Sequence, residues 1–144
     1  MASPKAFTLD QIADALEATP ESIRKLLTGL PEEVHQWKPS RDDWCINESI
    51  GHLIEADRHG FDGRIRQMVD TNNVELQAWA INEITERRRD CEREALGEWG
   101  LVQQLAEMRE ESAKMVRGLD AGKLHHVGKH PLVGDLTVID VLHE

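Results

Sequence analysis

A chain of 144 residues, 40% of them hydrophobic and 31% charged, has the composition of one globular domain, which excludes a disordered chain. A formal net charge of −10 makes general nucleic-acid binding unfavourable, because such a chain repels phosphate backbones. No apolar run approaches the ~18 residues of a membrane-spanning helix, and the N-terminus has no apolar signal segment, so we expect a cytoplasmic protein with no membrane partner.

The first helix is predicted from its capping residues. Thr8 and Gln11 fit the capping-box pattern, in which each side chain hydrogen-bonds to a free backbone amide at the start of a helix. Apolar residues then recur at helical spacing up to Gly29, which predicts the end of the helix. Pro20 interrupts this run, so the helix either kinks there or restarts with Thr19 as a second cap.

Two further long helices are predicted by apolar residues that recur on one helical face. The second helix spans about residues 45–70. The third follows an apolar stripe over residues 101–119, with Gly118 or Gly122 as its terminator. Between these two, the apolar positions suggest a short helix around residues 79–84.

The C-terminal residues predict a loop and the start of a last helix. Residues 123–136 are rich in Gly, His and Pro, whereas Thr137 and Asp140 form a capped helix start. The sequence stops at Glu144, and so short a helix cannot cover neighbours of ~20 residues. We therefore expect a single all-α domain over residues 1–144 whose last helix is cut short at residue 144, or else a partner chain that covers the gap.

A stripe of polar side chains on the second helix is the main candidate for a metal site. His52, Glu55, His59 and Asp62 follow one another at spacings of three, four and three residues, which places them on one helical face. Histidine and carboxylate groups together suit a divalent metal ion. The same stripe lies almost opposite the apolar face of the helix, so a solvated surface is the competing interpretation.

Other histidines are weaker candidates for metal ligands. His125, His126 and His130 fall in the predicted loop after the third helix. There they either present ligands to one end of the bundle or are ordinary polar loop residues. His143 lies on the last turn of the chain, where it could face a site between helices.

The two cysteines and a run of arginines are the remaining candidate groups. Cys45 and Cys91 are too few for a disulfide scaffold and show no zinc-finger spacing with the histidines. Cys45 stands at the predicted start of the second helix, where the helix dipole favours a nucleophilic thiolate, although an inert buried cysteine is the commoner case. The arginines at 87–89 form either an anion-binding patch or a salt-bridged helix surface.

The region from Leu30 to Ile65 resembles the DinB-like (YfiT-like) family of metal-dependent proteins. In that family a loop tryptophan precedes a helix that begins W-S-x-x-E and continues x-x-H-L-x-D/E, and the matching residues here are Trp44, Glu48, His52, Leu53 and Glu55. Residues 79–90 resemble the segment that links the second and third helices, and residues 130–144 resemble the start of the last helix. The usual serine at the start of the second helix is replaced by Cys45.

This resemblance implies a four-helix, up-down-down-up bundle that binds a divalent metal ion through three histidines. One ligand maps onto His52, and the other two form an H-x-x-x-H pair on the last helix that falls beyond residue 144. The expected ion is zinc or nickel. Glu55 is a candidate for orienting His52 or taking a proton, and His59 and His143 are further candidates near the site.

The function implied by the resemblance is that of a metal-dependent enzyme with a small-molecule substrate. Members of known activity resemble thiol-dependent transferases or isomerases, which use a low-molecular-weight thiol of the bacillithiol or mycothiol type. A metal ion with an open position lowers the pKa of a bound thiol or water. A metal-dependent hydrolase and a non-catalytic, stress-related bundle are the alternatives. A homodimer is expected because an unfinished bundle leaves an apolar face to cover.

Overall fold

The computed structural model describes residues 7–77 and 97–143, and most of these residues are helical. The helices are α1 (Leu9–Thr28), α2 (Ile46–Glu55), α3 (Gly63–Asp70), α4 (Gly97–Arg117) and α5 (Val138–Leu142), with 3-10 turns at Glu32–Gln36 and Ala121–Lys123. The packing partner of α1 is mainly α4, which also packs against α2, while α5 packs against α3. Within the two described stretches, no helix combines the length and apolarity that crossing a bilayer requires. The short helix predicted around residues 79–84 lies outside the described residues.

The N-terminus of α1 confirms the predicted capping box. Thr8 Oγ1 accepts a hydrogen bond from the Gln11 amide at 3.1 Å, and Gln11 Oε1 accepts one from the Thr8 amide at 2.9 Å. The helix then runs through Pro20 without a break, and Gly29 is its C-terminal cap, as predicted. The alternative restart is wrong, because the Thr19 hydroxyl donates to the carbonyl of Ala15 within the same helix.

The second predicted helix is confirmed over Ile46 to Asp70, but it is not uniformly α-helical. A π segment (Ala56–Asp62) joins α2 to α3, and the Gly63 amide donates to the carbonyl of Arg58, five residues earlier. Each turn of a π segment holds more residues than an α turn. The residues after the segment therefore lie on a different helical face from the one that α-helical spacing predicts. Cys45 caps α2 in place of a hydroxyl residue, with its Sγ atom 3.4 Å from the Glu48 amide.

The terminator of α4 is the first of the two predicted glycines. The helix begins at Gly97, upstream of the predicted start, and ends at Arg117. The Gly118 amide then donates to the carbonyl of Lys114 at 3.1 Å. Gly122 lies in the following 3-10 turn, where its amide donates to Asp120 Oδ1.

A small three-stranded sheet corrects the prediction of a strictly all-α fold. Its strands are β1 (Val74–Glu75), β2 (Val127–His130) and β3 (Gly134–Thr137), in the order β1-β2-β3. Strand β2 pairs in parallel with β1 and antiparallel with β3, so the predicted loop over residues 123–136 is largely a hairpin. These strands are too short to show an alternating apolar pattern, and tertiary pairing rather than local propensity forms them.

The core divides into two apolar clusters at opposite ends of the bundle. The loop-side cluster comprises Leu27, Ile50, Ile54, Leu101, Val102 and Leu105. The strand-side cluster comprises Ala13, Ile65, Met68, Leu76, Ala113, Val116, Val138, Val141 and Leu142. A fully buried aliphatic side chain contributes about 2 kcal/mol. Residues 55–64 of the helix formed by α2, the π segment and α3, and residues 106–112 of α4, separate the two clusters. The polar groups of the candidate site lie there.

Replacing Thr137 with alanine is expected to lower the free energy of unfolding by about 1 kcal/mol. Thr137 Oγ1 accepts a hydrogen bond from the Asp140 amide at 3.1 Å, and Asp140 Oδ2 accepts one from the Thr137 amide at 2.8 Å. This predicted cap holds α5, whose apolar residues belong to the strand-side cluster. Urea denaturation measures the change. The variant Thr137→Ser keeps the hydroxyl and should retain most of the stability; equal losses in both variants would contradict the capping role.

Candidate functional site

A buried ion pair lies between the two apolar clusters and bridges the π segment to α4. Arg109 Nε donates a hydrogen bond to Asp57 Oδ2. The Asp57 side chain is 9% exposed and the Arg109 side chain 12% exposed. Both charges are therefore largely removed from water, so each needs the other for compensation.

A second polar contact links the same two elements one turn further along. The Ser112 hydroxyl donates to the carboxylate of Asp62, whose two oxygens lie 2.8 and 2.7 Å from Ser112 Oγ. The same hydroxyl lies 2.9 Å from the carbonyl of Met108. We call Asp57, Asp62, Arg109 and Ser112 the polar layer, because they separate the loop-side cluster from the strand-side cluster.

Burial dominates the electrostatics of the polar layer. It raises the pKa of the Asp57 carboxyl, and the charge and hydrogen bond of Arg109 oppose this shift only in part. Burial also raises the pKa of Asp62, against the hydrogen bond from Ser112 and the positive charges of Arg66 and Arg109. Each of the two aspartates therefore takes up a proton more readily here than in water. Functional carboxylates often have pKa values raised in this way.

A cavity of about 660 Å³ opens beside the polar layer, between α1, the π segment and the end of α5. Its polar residues are Gln11, Thr19, Asp57, Arg64, Arg109 and His143. Its apolar walls are Phe7, Ile12, Ala15, Leu16, Ala56, Phe61 and Leu142. Its volume falls in the range of sites for small organic molecules, and π segments inside α-helices frequently occur at functional sites.

The predicted metal-ligand stripe is split by the fold. His52 is partly buried on α2, and its ring packs against Trp44 with 4.5 Å between ring centroids. Glu55 is buried, and its carboxylate accepts hydrogen bonds from Arg58 Nη1 at 2.9 Å and His59 Nε2 at 3.0 Å. A solvated surface, the competing interpretation, is therefore wrong for Glu55, whereas His59 is half exposed.

The other candidate histidines lie at separate places. His143 is exposed at the end of α5, where its Nδ1 is 2.8 Å from the carbonyl of Ile139 and its ring stacks on Phe7. His126 Nδ1 is 2.8 Å from the carbonyl of Met68, and His125 is exposed in the turn before β2. His130 Nε2 lies 3.2 Å from Arg64 Nη2.

The donor groups of the described residues do not form a metal site by themselves. In residues 7–77 and 97–143, no three His, Cys, Asp or Glu side chains come close enough together to hold a metal ion. Of the predicted ligand set, these stretches contain only His52, and the neighbouring Glu55 carboxylate is engaged by Arg58 and His59. Any metal ion bound through His52 therefore needs further ligands from outside these two stretches.

Two of the remaining candidates lie outside the described residues, and one is buried. Cys91 and the arginines at 87–89 fall in the stretch 78–96, so their predicted roles stay predictions. Cys45 is 1% exposed. A thiol so enclosed matches the inert structural cysteine that was the commoner of the two interpretations.

Apart from Asp62 and His143, the residues of the polar layer and its cavity were missed by the sequence interpretation, although a signal exists on α4. Arg109 and Ser112 continue the stripe of Leu101 and Leu105 at helical spacing, so polar residues occupy core-facing positions. A buried polar residue in such a stripe indicates a partner on a facing helix. Asp57 could not be assigned as that partner, because the π segment alters which residues face α4.

Comparison with known proteins gives a family and a fold. The sequence model of the DinB superfamily matches residues 15–144. The chain is similar to a solved structure described as "YfiT from Bacillus subtilis is a probable metal-dependent hydrolase with an unusual four-helix bundle topology". That similarity has a TM-score of 0.73 at 14% sequence identity and covers 98% of this chain and 81% of that chain. The predicted four-helix-bundle fold is thereby confirmed, apart from the small sheet. No curated protein sequence matches significantly.

Proposed function

The chain belongs to the DinB superfamily, and from this membership we propose that it acts as a metal-dependent enzyme on a small molecule. The observation that carries the proposal is the family match over residues 15–144, which includes the Trp44, Glu48 and His52 pattern of the second helix. The similar solved structure, whose description names a probable metal-dependent hydrolase, supports the same class of function.

In this proposal His52 is the metal ligand that the described residues contribute. Its position on α2 against Trp44 restricts the motion of the imidazole ring. The remaining ligands are proposed to be the two histidines beyond residue 144 that the family resemblance implies.

The proposed reaction is a transfer or isomerisation that uses a low-molecular-weight thiol. Hydrolysis is the second candidate, and the description of the similar Bacillus subtilis structure favours it. Saturable binding of a thiol to metal-loaded protein, measured by calorimetry and lost on metal removal, is expected for the first candidate. Ester or amide hydrolysis without any thiol is expected for the second.

Elemental analysis of protein purified without a histidine tag tests the metal proposal. It is made on this chain and on a form extended through the last helix, and we expect about one divalent ion per extended chain. His52→Ala should lose the ion, whereas the matched control His125→Ala, at an exposed histidine that is not among the three ligands implied by the family resemblance, should keep it. An extended chain without metal would contradict the proposal.

Dimer formation and a cytoplasmic location are further proposals. Sedimentation analysis tests whether the protein is a dimer.

A further inference from the structure

A histidine–carboxylate pair joins the π segment to α2, outside the polar layer. His59 Nε2 lies 3.0 Å from Glu55 Oε2, while Arg58 Nη1 donates to the other carboxylate oxygen at 2.9 Å. The Glu55 side chain is 4% exposed, whereas the His59 side chain is 51% exposed. A hydrogen bond to a carboxylate that is shielded from water in this way holds the imidazole ring in one orientation.

The hydrogen bond to Glu55 also determines which ring nitrogen of His59 can act as a nucleophile. An ionised carboxylate only accepts hydrogen bonds, so the ring proton of neutral His59 is on Nε2 and the lone pair is on Nδ1. Glu55 is the only hydrogen-bond partner of His59 in residues 7–77 and 97–143. An imidazole with an available lone pair, oriented by a carboxylate, is the arrangement that nucleophilic catalysis by histidine requires.

His59 lines a cavity of about 340 Å³ between the π segment, α3 and the end of β1. Its polar lining residues are Arg58, His59, Arg64, Gln67, Glu75 and Gln77. The side-chain amides of Gln67 and Gln77 each offer donors and an acceptor, which suits an uncharged polar group such as an ester. The cavity is large enough for a small molecule.

We propose that His59 accepts an acyl group from a small uncharged ester bound in this cavity, with Glu55 as its positioning residue. The Nδ1 lone pair attacks the ester carbonyl carbon, the C–O bond to the alcohol breaks, and its electron pair leaves on the alkoxide oxygen. The Glu55 carboxylate stabilises the positive charge that the acylated ring acquires.

Water completes the reaction and restores His59. It transfers its hydroxyl group to the acyl carbon and its proton to the alkoxide, so that one acid and one alcohol are released. This activity goes beyond the proposed function, because it requires no metal ion.

Hydrolysis of p-nitrophenyl acetate by chelator-treated protein tests this proposal. We expect saturable release of p-nitrophenolate at mildly alkaline pH, where free imidazole is neutral. His59→Gln should lower kcat about tenfold, because its amide can still donate to Glu55 but is not a nucleophile. The matched control His125→Ala, at an exposed histidine outside this cavity, should leave kcat and KM unchanged.

Two further measurements separate catalysis from a structural role. Glu55→Gln should lower kcat about tenfold with an unchanged KM, since the amide oxygen still accepts from Nε2 but carries no charge. Diethyl pyrocarbonate, which attaches a stable group to a nucleophilic ring nitrogen, should label His59 before His125 when the sites are mapped by mass spectrometry.

An unchanged kcat in folded His59→Gln, or labelling of His125 as fast as His59, would overturn the proposal. A loss of activity in Glu55→Gln that comes only from a higher KM would overturn the positioning role of Glu55. Failure of the metal proposal is a separate result, because metal-dependent hydrolysis is lost on chelation and the reaction at His59 is not.

Discussion

Replacing Arg109 with leucine is expected to lower the free energy of unfolding by about 3 kcal/mol at neutral pH. The substitution removes the partner of Asp57, whose carboxylate is 9% exposed and lies between two apolar clusters. A buried charge that has lost its partner retains the full cost of leaving water. Urea denaturation at pH 7 measures the effect.

The size of this loss should depend on pH with a defined sign. Burial already raises the pKa of Asp57 in the folded protein above the ordinary value of 3.8, and without Arg109 nothing of comparable strength opposes that shift. The folded variant therefore binds a proton more tightly than the unfolded chain does, and its stability increases as the pH falls. The difference from the wild-type protein should be largest at neutral pH and should shrink as the pH approaches 3.8.

A matched control separates burial from the general loss of an arginine. Arg117 lies on the same helix and pairs with Asp14 and Glu17 of α1 at the surface. Because solvent and salt screen such pairs, Arg117→Leu should have a much smaller effect, without the same pH dependence. A similar loss in both variants, or a pH-independent loss in Arg109→Leu, would show that Asp57 is not the cause.

Replacing Gly63 with alanine is expected to lower the free energy of unfolding by about 2 kcal/mol. A Cβ atom at this position would lie 2.6 Å from the carbonyl oxygen of Arg58, which accepts the hydrogen bond that closes the π segment. The backbone must shift to relieve this contact, and the shift displaces the Ile65 and Met68 side chains from the strand-side cluster.

The expected loss of stability is opposite in sign to the usual effect of replacing glycine with alanine in a helix. Within an ordinary α-helix, glycine to alanine stabilises by about 1 kcal/mol. The control is Gly118→Ala after α4, where the nearest atom to an added Cβ is the Lys114 carbonyl oxygen at 3.4 Å, and this variant should be close to neutral. Stabilisation of Gly63→Ala in the same denaturation experiment would mean that residues 46–70 can form a regular α-helix.

The helix ends of this protein are predictable because their causes are local. The Thr8 and Thr137 caps depend on side chains three residues away, and both were assigned from sequence. Gly29 and Gly118 terminate helices for a similarly local reason. The sheet is different, because the pairing of Val74 with Gly128 joins residues far apart in the chain and leaves no local pattern to detect.

The candidate site is less predictable than the helices, because it depends on the π segment. An α-helical projection over residues 46–70 assumes a constant angle per residue, and this assumption fails after Glu55. The projection therefore placed Asp62 almost opposite the apolar face of the helix, whereas the Asp62 carboxylate faces Ser112 of α4. The choice of His52 came from the family resemblance rather than from the projection, and it stays a prediction.

The metal content of the protein tests the proposed function most directly. Elemental analysis of the untagged chain extended through the last helix should find about one divalent ion, which requires the imidazole of His52. The ion should be lost in His52→Ala and retained in His125→Ala, with both variants folded by circular dichroism. A folded extended chain without a bound ion, or one that keeps its ion in His52→Ala, would contradict the assignment of His52 as a metal ligand.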